Sequence, residues 1–332
     1  MFLFMKKIEK YISVLMCFFS KCTRVFFFEL RSIPIVIICL FCSFLKQKYI
    51  VVSAWCIYKC FYLFRKDKIV HNNWGDDINV YFLEMISNKK VWVYPNTRIA
   101  RFVNSIVKPK KIVFIGSVLT LYSLENSIII GSGVLNNMIN DKIKGSPNEV
   151  LFVRGPLSRQ ILINNGVDCP QRYGDPALLL SCFYKPQIMK HCKIGIIPHY
   201  QDLNSDIIVD ILTKYSDDVV CIKMKNYSNW TDIIDEINSC DFIISSSLHG
   251  LIVSETYKVP SVWVHFNDYI DGWDFKFYDF YQSIGKKNIS PINIQTSSQI
   301  WDLYNRKASW KSGEINYLEL IKLCKNVGLI TK

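Results

Sequence analysis

The stretch DFIISSSLHGLIVSETYKVP, residues 241–260, decides the fold. A short apolar run ends at three serines, a histidine and a glycine, and a second apolar segment follows. An apolar strand followed by small residues and then by a helix is typical of the turns in a parallel α/β sheet. Small residues let a ligand approach the backbone, and helix N-termini supply N–H donors for anions. The stretch therefore predicts a strand-to-helix turn that binds a ligand.

The same alternation recurs along most of the chain. Short runs rich in Val and Ile predict strands in VWVYP (91–95), KIVFIG (111–116), SIIIGSG (127–133), EVLFVRG (149–155), KIGIIPHY (193–200), DVVCIKM (218–224), DFIISSS (241–247) and PSVWVHF (260–266). Intervening helices are predicted at Thr97–Val107, Pro156–Asn164, Ser205–Tyr215, Asn229–Ser239 and Leu248–Tyr257. This order is the signature of parallel strands joined by crossover helices.

The fold class that we predict is α/β, with two Rossmann-like doubly wound domains. The chain has 332 residues, half of them hydrophobic, which is enough for two domains of ordinary size. We place an N-terminal domain at residues 56–185 and a C-terminal domain with C-terminal helices at residues 186–332. In such folds the ligand lies beyond the carboxyl ends of the strands, so we expect a substrate between the two domains.

An apolar, basic extension is predicted at residues 1–55. The net charge is +12, but residues 1–70 carry +9 of it and residues 71–332 only +3. The globular part therefore lacks the electrostatic footprint of a nucleic-acid-binding protein. Scattered cysteines favour a reducing compartment, and the pair Cys39 and Cys42 lies in an apolar run typical of membrane or core burial.

The extension predicts attachment to a membrane surface, at the cytoplasmic face of the cell membrane. Polar residues recur at helical spacing within residues 6–24, as in a basic helix that lies in the interface. The apolar run 33–45 is shorter than the ~18 residues that usually span a bilayer. A signal peptide, an extra packed helical layer and a start codon assigned too early are the alternatives, although no small-residue cleavage site is visible.

Candidate site residues follow the predicted strands. His249 stands at a strand-to-helix turn, where Ser246 and Ser247 could form part of an anion-binding nest. Its position alone fits a titrating catalytic group and a buried helix-capping histidine equally well. Arg154 directly follows another strand and could bind carboxylate or phosphate through its planar fork, or form a surface ion pair. His199 follows a strand of the second set and is a further candidate for substrate or phosphate binding.

Three acidic residues lie at predicted turns. Gly75, Asp76 and Asp77 lie at the start of a predicted helix and are candidates for substrate binding. One of the two aspartates would cap the helix, and the other could bind sugar hydroxyls. Asp175 precedes Pro176, so a structural turn and a ligand contact are equally good interpretations. No histidines have zinc-type spacing, and we predict no metal and no cofactor.

An ordered set of motifs resembles the polysaccharide pyruvyltransferase family, in particular its bacterial exopolysaccharide ketalases. The motifs lie within residues 57–285 and comprise NNWGDDINVYFLEMIS, GSVL, GSG, VRGPLSRQIL, YGDPALLL, IGIIPHYQD and SSSLHGLIVSETYKVPSVWV. The resemblance implies two Rossmann-like domains similar to GT-B glycosyltransferases. It also implies transfer of a pyruvyl group from phosphoenolpyruvate to two hydroxyls of a sugar in a surface-polysaccharide precursor, with no metal in the chemical step.

Formation of a ketal from an enol phosphate requires a proton donor for the methylene carbon, cations for the donor's anions and an acceptor for hydroxyl protons. With the family motif, His249 becomes the expected acid, and the helix N-terminus is expected to lower its pKa. Many relatives carry arginine where this chain has Ser247. Backbone N–H groups, the hydroxyls of Ser246 and Ser247, or Arg159 would then bind the anion.

Two other classes of function share these features. A nucleotide-sugar glycosyltransferase would have the same architecture, because fold alone does not specify function. A non-catalytic scaffold in a polysaccharide assembly complex fits the membrane-like extension. Consumption of phosphoenolpyruvate, or a role for His249 in polymer composition, distinguishes the ketalase from both.

Overall fold

The structure is a computed structural model that describes residues 29–30, 32–43, 45, 48–59, 69–136, 142–267 and 274–331. Its strands form two five-stranded sheets, and every pair of neighbouring strands is parallel. Helices flank both sheets. The predicted α/β class with two parallel, doubly wound sheets is therefore confirmed.

The N-terminal sheet has the strand order β2-β1-β3-β4-β5. Its strands are β1 (Tyr49–Val52), β2 (Lys90–Val93), β3 (Lys111–Val113), β4 (Ser127–Ile130) and β5 (Glu149–Phe152). Val52 of β1 pairs with Val93 on one side and with Ile112 on the other. The chain reverses its direction of winding between β1 and β3, which is the place where open α/β sheets bind ligands.

The C-terminal sheet has the order β10-β9-β8-β6-β7 and repeats the same winding. Its strands are β6 (Cys192–Ile197), β7 (Val219–Cys221), β8 (Cys240–Ser245), β9 (Ser261–His265) and β10 (Ile292–Asn293). The reversal here lies between β6 and β8, whose register pairs Ile197 with Ser245. The opening stretch of the sequence therefore lies at the switch point of this sheet.

The helices form close to the predicted bounds because their ends carry ordinary start signals. Thr97 and Asn229 cap their helices through side-chain oxygens, and Pro156 occupies a first turn, where its missing N–H costs nothing. The helices are α1 (32–43), α2 (Trp74–Ser87), α3 (Arg98–Val107), α4 (Pro156–Asn164), α5 (Leu180–Phe183), α6 (Asp206–Lys214), α7 (Trp230–Ser239), α8 (Leu248–Tyr257), α9 (Phe275–Ser283), α10 (Gln299–Asn305) and α11 (Tyr317–Asn326).

The predicted extension at residues 1–55 needs correction. Strand β1 lies inside the N-terminal sheet, between β2 and β3. Helix α1 buries Ile35, Val36, Cys39 and Cys42 against that sheet, so this part of the chain is a packed layer of the fold. Among the interpretations of Cys39 and Cys42, core burial is the one that the structure confirms. The predicted basic helix falls largely on residues 1–28, which lie outside the described residues.

The two halves of the chain meet beside the start of α2. The Trp74 indole N–H donates to the Trp230 carbonyl oxygen at 2.7 Å, and the Trp74 backbone N–H donates to the Met224 carbonyl oxygen at 2.8 Å. The Tyr227 hydroxyl donates to the Asp77 carboxylate at 2.9 Å. These buried contacts fix the first turn of α2 against the C-terminal half. The predicted domain boundary near residue 185 stays a prediction.

Candidate functional site

A cavity of about 570 Å³ opens at the carboxyl ends of both sheets. Residues that follow β1 and β3 line one side, and residues that follow β6 and β8 line the other. The lining residues are Trp55, Asn72, Asn73, Asp76, Ser117, Val118, Leu121, Leu135, Pro198, His199, Tyr200, Met224, Lys225, Ser247, Leu248, His249 and Lys276. The cavity thus joins the switch points of the two sheets, where a ligand is expected.

His249 lies in the first turn of α8 and packs against the first turn of α2. A Cβ atom built on Gly75 would fall 2.0 Å from Nδ1 of the imidazole and 2.4 Å from Cε1. Only glycine leaves room for the ring here. Gly75 was predicted to bind substrate, but it is buried and does not line the cavity. In this structure its role is to seat the histidine.

The electrostatic environment keeps the His249 imidazole neutral. Burial lowers its pKa to about 3, and the positive charges of Lys276 and Arg154 act in the same direction. The direction agrees with the sequence expectation, although burial rather than the helix N-terminus is the main cause. Nε2 is buried and has no hydrogen-bond partner within the described part of the chain. A neutral, unpartnered imidazole nitrogen can accept a proton.

Asp76 and Asp77 divide their roles in the first turn of α2. Asp77 is buried, accepts from the Tyr227 hydroxyl and accepts from the Asn73 backbone N–H at 3.3 Å. Asp76 lines the cavity, and one of its oxygens accepts from the Asn73 side chain at 2.6 Å. The helix cap is Asn73 itself, whose side chain accepts from the Gly75 N–H, so the prediction that one of the two aspartates caps α2 was wrong.

Asp76 is the carboxyl group whose ionisation changes near neutral pH. Burial raises its pKa to about 7, the charge of Asp77 adds to this, and Asn73 and Lys276 oppose it. Burial also raises the pKa of Asp77, to about 6, with Tyr227 opposing. Because Asp76 faces the cavity and Asp77 does not, Asp76 can exchange a proton with a bound ligand.

Arg154 is completely buried, so a surface ion pair is excluded. Its guanidinium lies 2.9 Å from the Asp279 carboxylate, and it donates to the Ser117 hydroxyl and to the Val134 carbonyl oxygen. A Cβ on Gly133 would fall 2.3 Å from Arg154 Cζ. Ser117 lines the cavity and separates the guanidinium from it. The guanidinium nitrogens of Arg154 already have hydrogen-bond and ion-pair partners within the protein. Direct binding of a donor by Arg154 stays a prediction.

The serines after β8 are largely engaged in holding their own turn. The Ser246 hydroxyl donates to the Asp202 carboxylate at 2.9 Å and accepts from the His199 backbone N–H at 2.8 Å. The Ser247 N–H donates to the Ser245 hydroxyl at 3.0 Å. Ser247 and His199 line the cavity, whereas Ser246 does not. Burial lowers the pKa of His199 to about 4, with the Lys276 charge assisting.

Two candidates lie away from the cavity. Asp175 is buried and caps the short 3₁₀ helix Pro176–Leu179 by accepting from the Ala177 N–H at 2.9 Å, as the structural-turn interpretation predicts. Burial raises its pKa to about 6. Arg159 donates from Nε to the Cys169 carbonyl oxygen and does not line the cavity. Neither residue contacts the space where a substrate would bind.

Lys276 is a cavity residue that sequence reasoning missed. It lies near the start of α9, which packs against α4, and its positive charge acts on both His249 and Asp76. Burial, together with the charge of Arg154, lowers the pKa of Lys276 to about 8. No motif marks this position, because its neighbours in the cavity come from segments remote in the chain. Lys225 is the second lysine in the lining.

Within the described ranges, no three His, Cys, Asp or Glu side chains lie close enough together to hold a metal ion. The cavity instead offers a carboxyl group, two imidazoles and two ammonium groups. These groups can bind an anion and move protons at its carbon and oxygen atoms. The prediction of a metal-free and cofactor-free reaction stays a prediction.

Residues 43–265 match the family model for polysaccharide pyruvyl transferase. The match covers well over half of the chain and contains β1 to β9. The match begins at residue 43, the end of α1, and so includes β1. This agrees with the position of β1 (residues 49–52) inside the N-terminal sheet.

Two relatives align with about two thirds of this chain. The uncharacterized protein L143 of Acanthamoeba polyphaga mimivirus is 27% identical over 230 residues, which are 67% of this chain and 76% of that protein. The succinoglycan biosynthesis protein ExoV of Rhizobium meliloti is 25% identical over 219 residues, which are 65% of this chain. The alignment spans 62% of ExoV's own length.

One solved structure, of the wall teichoic acid polymerase TagF, superposes with 84% of this chain and 83% of that chain. The TM-score is 0.42 and the sequence identity is 11%. A likeness of this degree identifies neither the fold class nor the activity.

Proposed function

Because the chain belongs to the polysaccharide pyruvyl transferase family, we propose that it transfers the pyruvyl group of phosphoenolpyruvate to two hydroxyls of one sugar in a polysaccharide precursor. The product is a cyclic ketal, and inorganic phosphate leaves. The observation that carries the proposal is the grouping of Asp76, His249 and Lys276 in one cavity at the switch points of both sheets. This set contains the proton carriers and the cation that ketal formation needs.

Lys276 binds an anionic group of the donor. Relatives with arginine at the Ser247 position have a cation there, and this chain does not. Ser246, Arg159 and Arg154 do not line the cavity. The Lys276 ammonium comes from a different element but faces the same cavity. An ammonium on a flexible stem can bind phosphate or carboxylate as a point charge.

Asp76 provides the proton that opens the reaction. With a pKa near 7, its carboxyl group is partly protonated at neutral pH, whereas the imidazole of His249 is not. This assignment differs from the acid role that we expected for His249. Asp76 donates to the methylene carbon of the enol phosphate, and the adjacent carbon becomes an oxocarbenium-like centre.

His249 then acts as a base and afterwards as an acid. A sugar hydroxyl attacks the oxocarbenium carbon, and His249 accepts the hydroxyl proton. The resulting imidazolium donates that proton to the phosphate oxygen as the carbon–oxygen bond to phosphate breaks. A second hydroxyl attacks the same carbon, and its proton returns to the Asp76 carboxylate. One phosphate is released for each ketal, and both residues end in their starting protonation states.

Replacement of His249 in the producing cell tests the proposal. Cells with the wild-type protein are expected to make a surface polymer with acid-labile pyruvate, and cells with His249→Gln are expected to lose it. His191→Gln is the matched control, because this histidine is exposed and lies outside the cavity. Unchanged polymer pyruvate in His249→Gln cells that contain normal amounts of protein would contradict the proposal.

A further inference from the structure

Helix α1 presents an apolar face to solvent as well as one to the core. Ile33, Ile37 and Phe41 recur every four residues, and their exposed fractions are 37%, 60% and 65%. Positions four residues apart lie on one side of a helix. The residues between them pack on the N-terminal sheet. The outer face is therefore an apolar stripe, where a helix on the surface of a soluble protein usually carries polar residues.

Helix α3 lies beside α1 and has the same property. Its outer residues Phe102 and Ile106 are 67% and 65% exposed. The carboxylate of Glu29, which is itself helical, accepts from the backbone N–H of Arg98 at 2.9 Å and so ties the N-terminal side of α1 to the start of α3. Ala100 of α3 packs in the same core cluster as the inner face of α1. We call the outer surface of these two neighbouring helices the α1–α3 face.

The charge around the α1–α3 face is positive. Arg98 and Arg101 are exposed in the first turn of α3. Residues 30–66 of the sequence contain no Asp or Glu. Glu29 is occupied in capping α3, and Glu125 is paired with Lys108 at 2.9 Å. The sequence before α1 continues this character, because residues 1–28 contain five Lys or Arg, one acidic residue and many large apolar residues.

We propose that the α1–α3 face binds an anionic lipid bilayer. Exposed aromatic and aliphatic side chains with arginines beside them fit the boundary between headgroups and acyl chains. A protein partner would need apolar and negatively charged groups at matching positions. An anionic bilayer offers acyl chains and negative headgroups everywhere on its surface. No helix in the described part of the chain is long and apolar enough to cross a membrane. The proposal concerns binding of the α1–α3 face to the bilayer surface, and it does not depend on the proposed reaction.

Vesicle sedimentation of the full chain tests the proposal. The vesicles contain equal parts of phosphatidylglycerol and phosphatidylcholine. We expect F102S/I106S to weaken binding roughly tenfold or more, because two large apolar side chains no longer enter the bilayer. R98Q/R101Q should weaken binding to these vesicles about 30-fold at low salt, because two arginines at about 1 kcal/mol each amount to about 2 kcal/mol, and should leave binding to pure phosphatidylcholine vesicles unchanged. M189S/L318S is the matched control, because both residues are more than 80% exposed and lie elsewhere.

Four outcomes would overturn the proposal. The wild-type chain could fail to sediment with anionic vesicles, or F102S/I106S could bind them as tightly as the control variant. Alternatively, F102S/I106S could lower the unfolding temperature while vesicle binding stays the same, which would show that another part of the chain covers the face. Conversion of a dimer into a monomer by F102S/I106S, without a change in vesicle binding, would assign the face to a second copy of the chain.

Discussion

The backbone of Gly75 lies directly against the imidazole of His249, with room for a hydrogen but not for a methyl group. Gly75 belongs to the first turn of α2 in the N-terminal half, and His249 to the first turn of α8 in the C-terminal half. The orientation of the imidazole therefore depends on the packing of the two halves. Asp76 follows Gly75 directly, so the same contact places the carboxyl group and the imidazole in one cavity.

Gly75→Ala should displace the imidazole and lower turnover by about 10²-fold or more, since a misplacement of about 1 Å has effects of that size. Overpacking should cost about 1–3 kcal/mol of unfolding free energy, so the variant should still fold. Steady-state kinetics and urea unfolding check both expectations. Gly166→Ala is the control: its φ of +76° should make alanine cost about 1–2 kcal/mol of stability, but its Cβ would contact nothing within 4 Å and the residue lies outside the cavity, so turnover should be unchanged. Wild-type turnover in Gly75→Ala would exclude a catalytic role for the seated His249.

Asp279→Asn should lower the free energy of unfolding by about 3–5 kcal/mol, because it leaves the Arg154 charge buried without its partner. Asp218→Asn removes the carboxylate of an exposed pair with Lys193 and should cost less than about 1 kcal/mol. Equilibrium unfolding in urea measures both. Equal stability of the two variants would contradict the structural role assigned to the Arg154–Asp279 pair.

Asp76→Asn should stabilise the protein above neutral pH. The folded-state pKa of about 7 lies above the ordinary value of 3.8, so between these values the folded state holds a proton that the unfolded state has released. Wild-type stability therefore falls as pH rises through this window. We expect the variant to gain about 1–3 kcal/mol at about pH 8 and less at about pH 5.

The stability gain is limited because Asp76 is partly open to the cavity, where solvent screens the charge. Asp217→Asn is the control at an exposed position and should change stability by less than about 0.5 kcal/mol at either pH. A stability difference for Asp76→Asn that does not depend on pH would refute the raised pKa. The same variant should also lose turnover, because it cannot donate the first proton.

Lys276 should make donor capture dependent on pH. As pH rises through the pKa of about 8, the free protein loses the ammonium charge, so kcat/KM for phosphoenolpyruvate should fall. Deprotonation of Asp76 through its pKa of about 7 also lowers kcat/KM, so Lys276→Arg should remove only the second limb of the fall, near pH 8. Lys276→Met should lower kcat/KM most below about pH 8, where the wild-type protein carries the ammonium charge. Lys185→Met, at an exposed site, is the control. An unchanged pH profile in Lys276→Arg would exclude Lys276 as the titrating group.

The sequence predicted eight strands and five helices within a few residues, because each is a short apolar run bounded by polar or small residues. Strand β1 was missed because its four residues follow the apolar run 33–45 after only Lys46, Gln47 and Lys48, so both were assigned to one apolar extension. Strand β10 has only two residues, both exposed, so it gives no apolar signal.

The candidate site was predicted where its residues follow a strand end, as with His249 and His199, or begin a helix, as with Asp76. Its electrostatics could not be predicted, because the partners lie far apart in the chain. Arg154 pairs with Asp279, which is 125 residues away, and the charge on Lys276 acts on Asp76 across 200 residues of sequence. A residue after a strand can be recognised locally, but burial and pairing arise only when the two halves pack.

The most direct test of the account combines the purified protein, phosphoenolpyruvate labelled with ¹³C at the carbon that becomes the ketal centre, and the lipid-linked saccharide fraction of the producing cell. If the chain forms a pyruvate ketal, NMR will detect a labelled ketal carbon in the saccharide and an equal amount of inorganic phosphate, and His249→Gln will produce neither. Phosphate release without a labelled ketal, or saccharide modification that requires a nucleotide sugar instead of phosphoenolpyruvate, would contradict it.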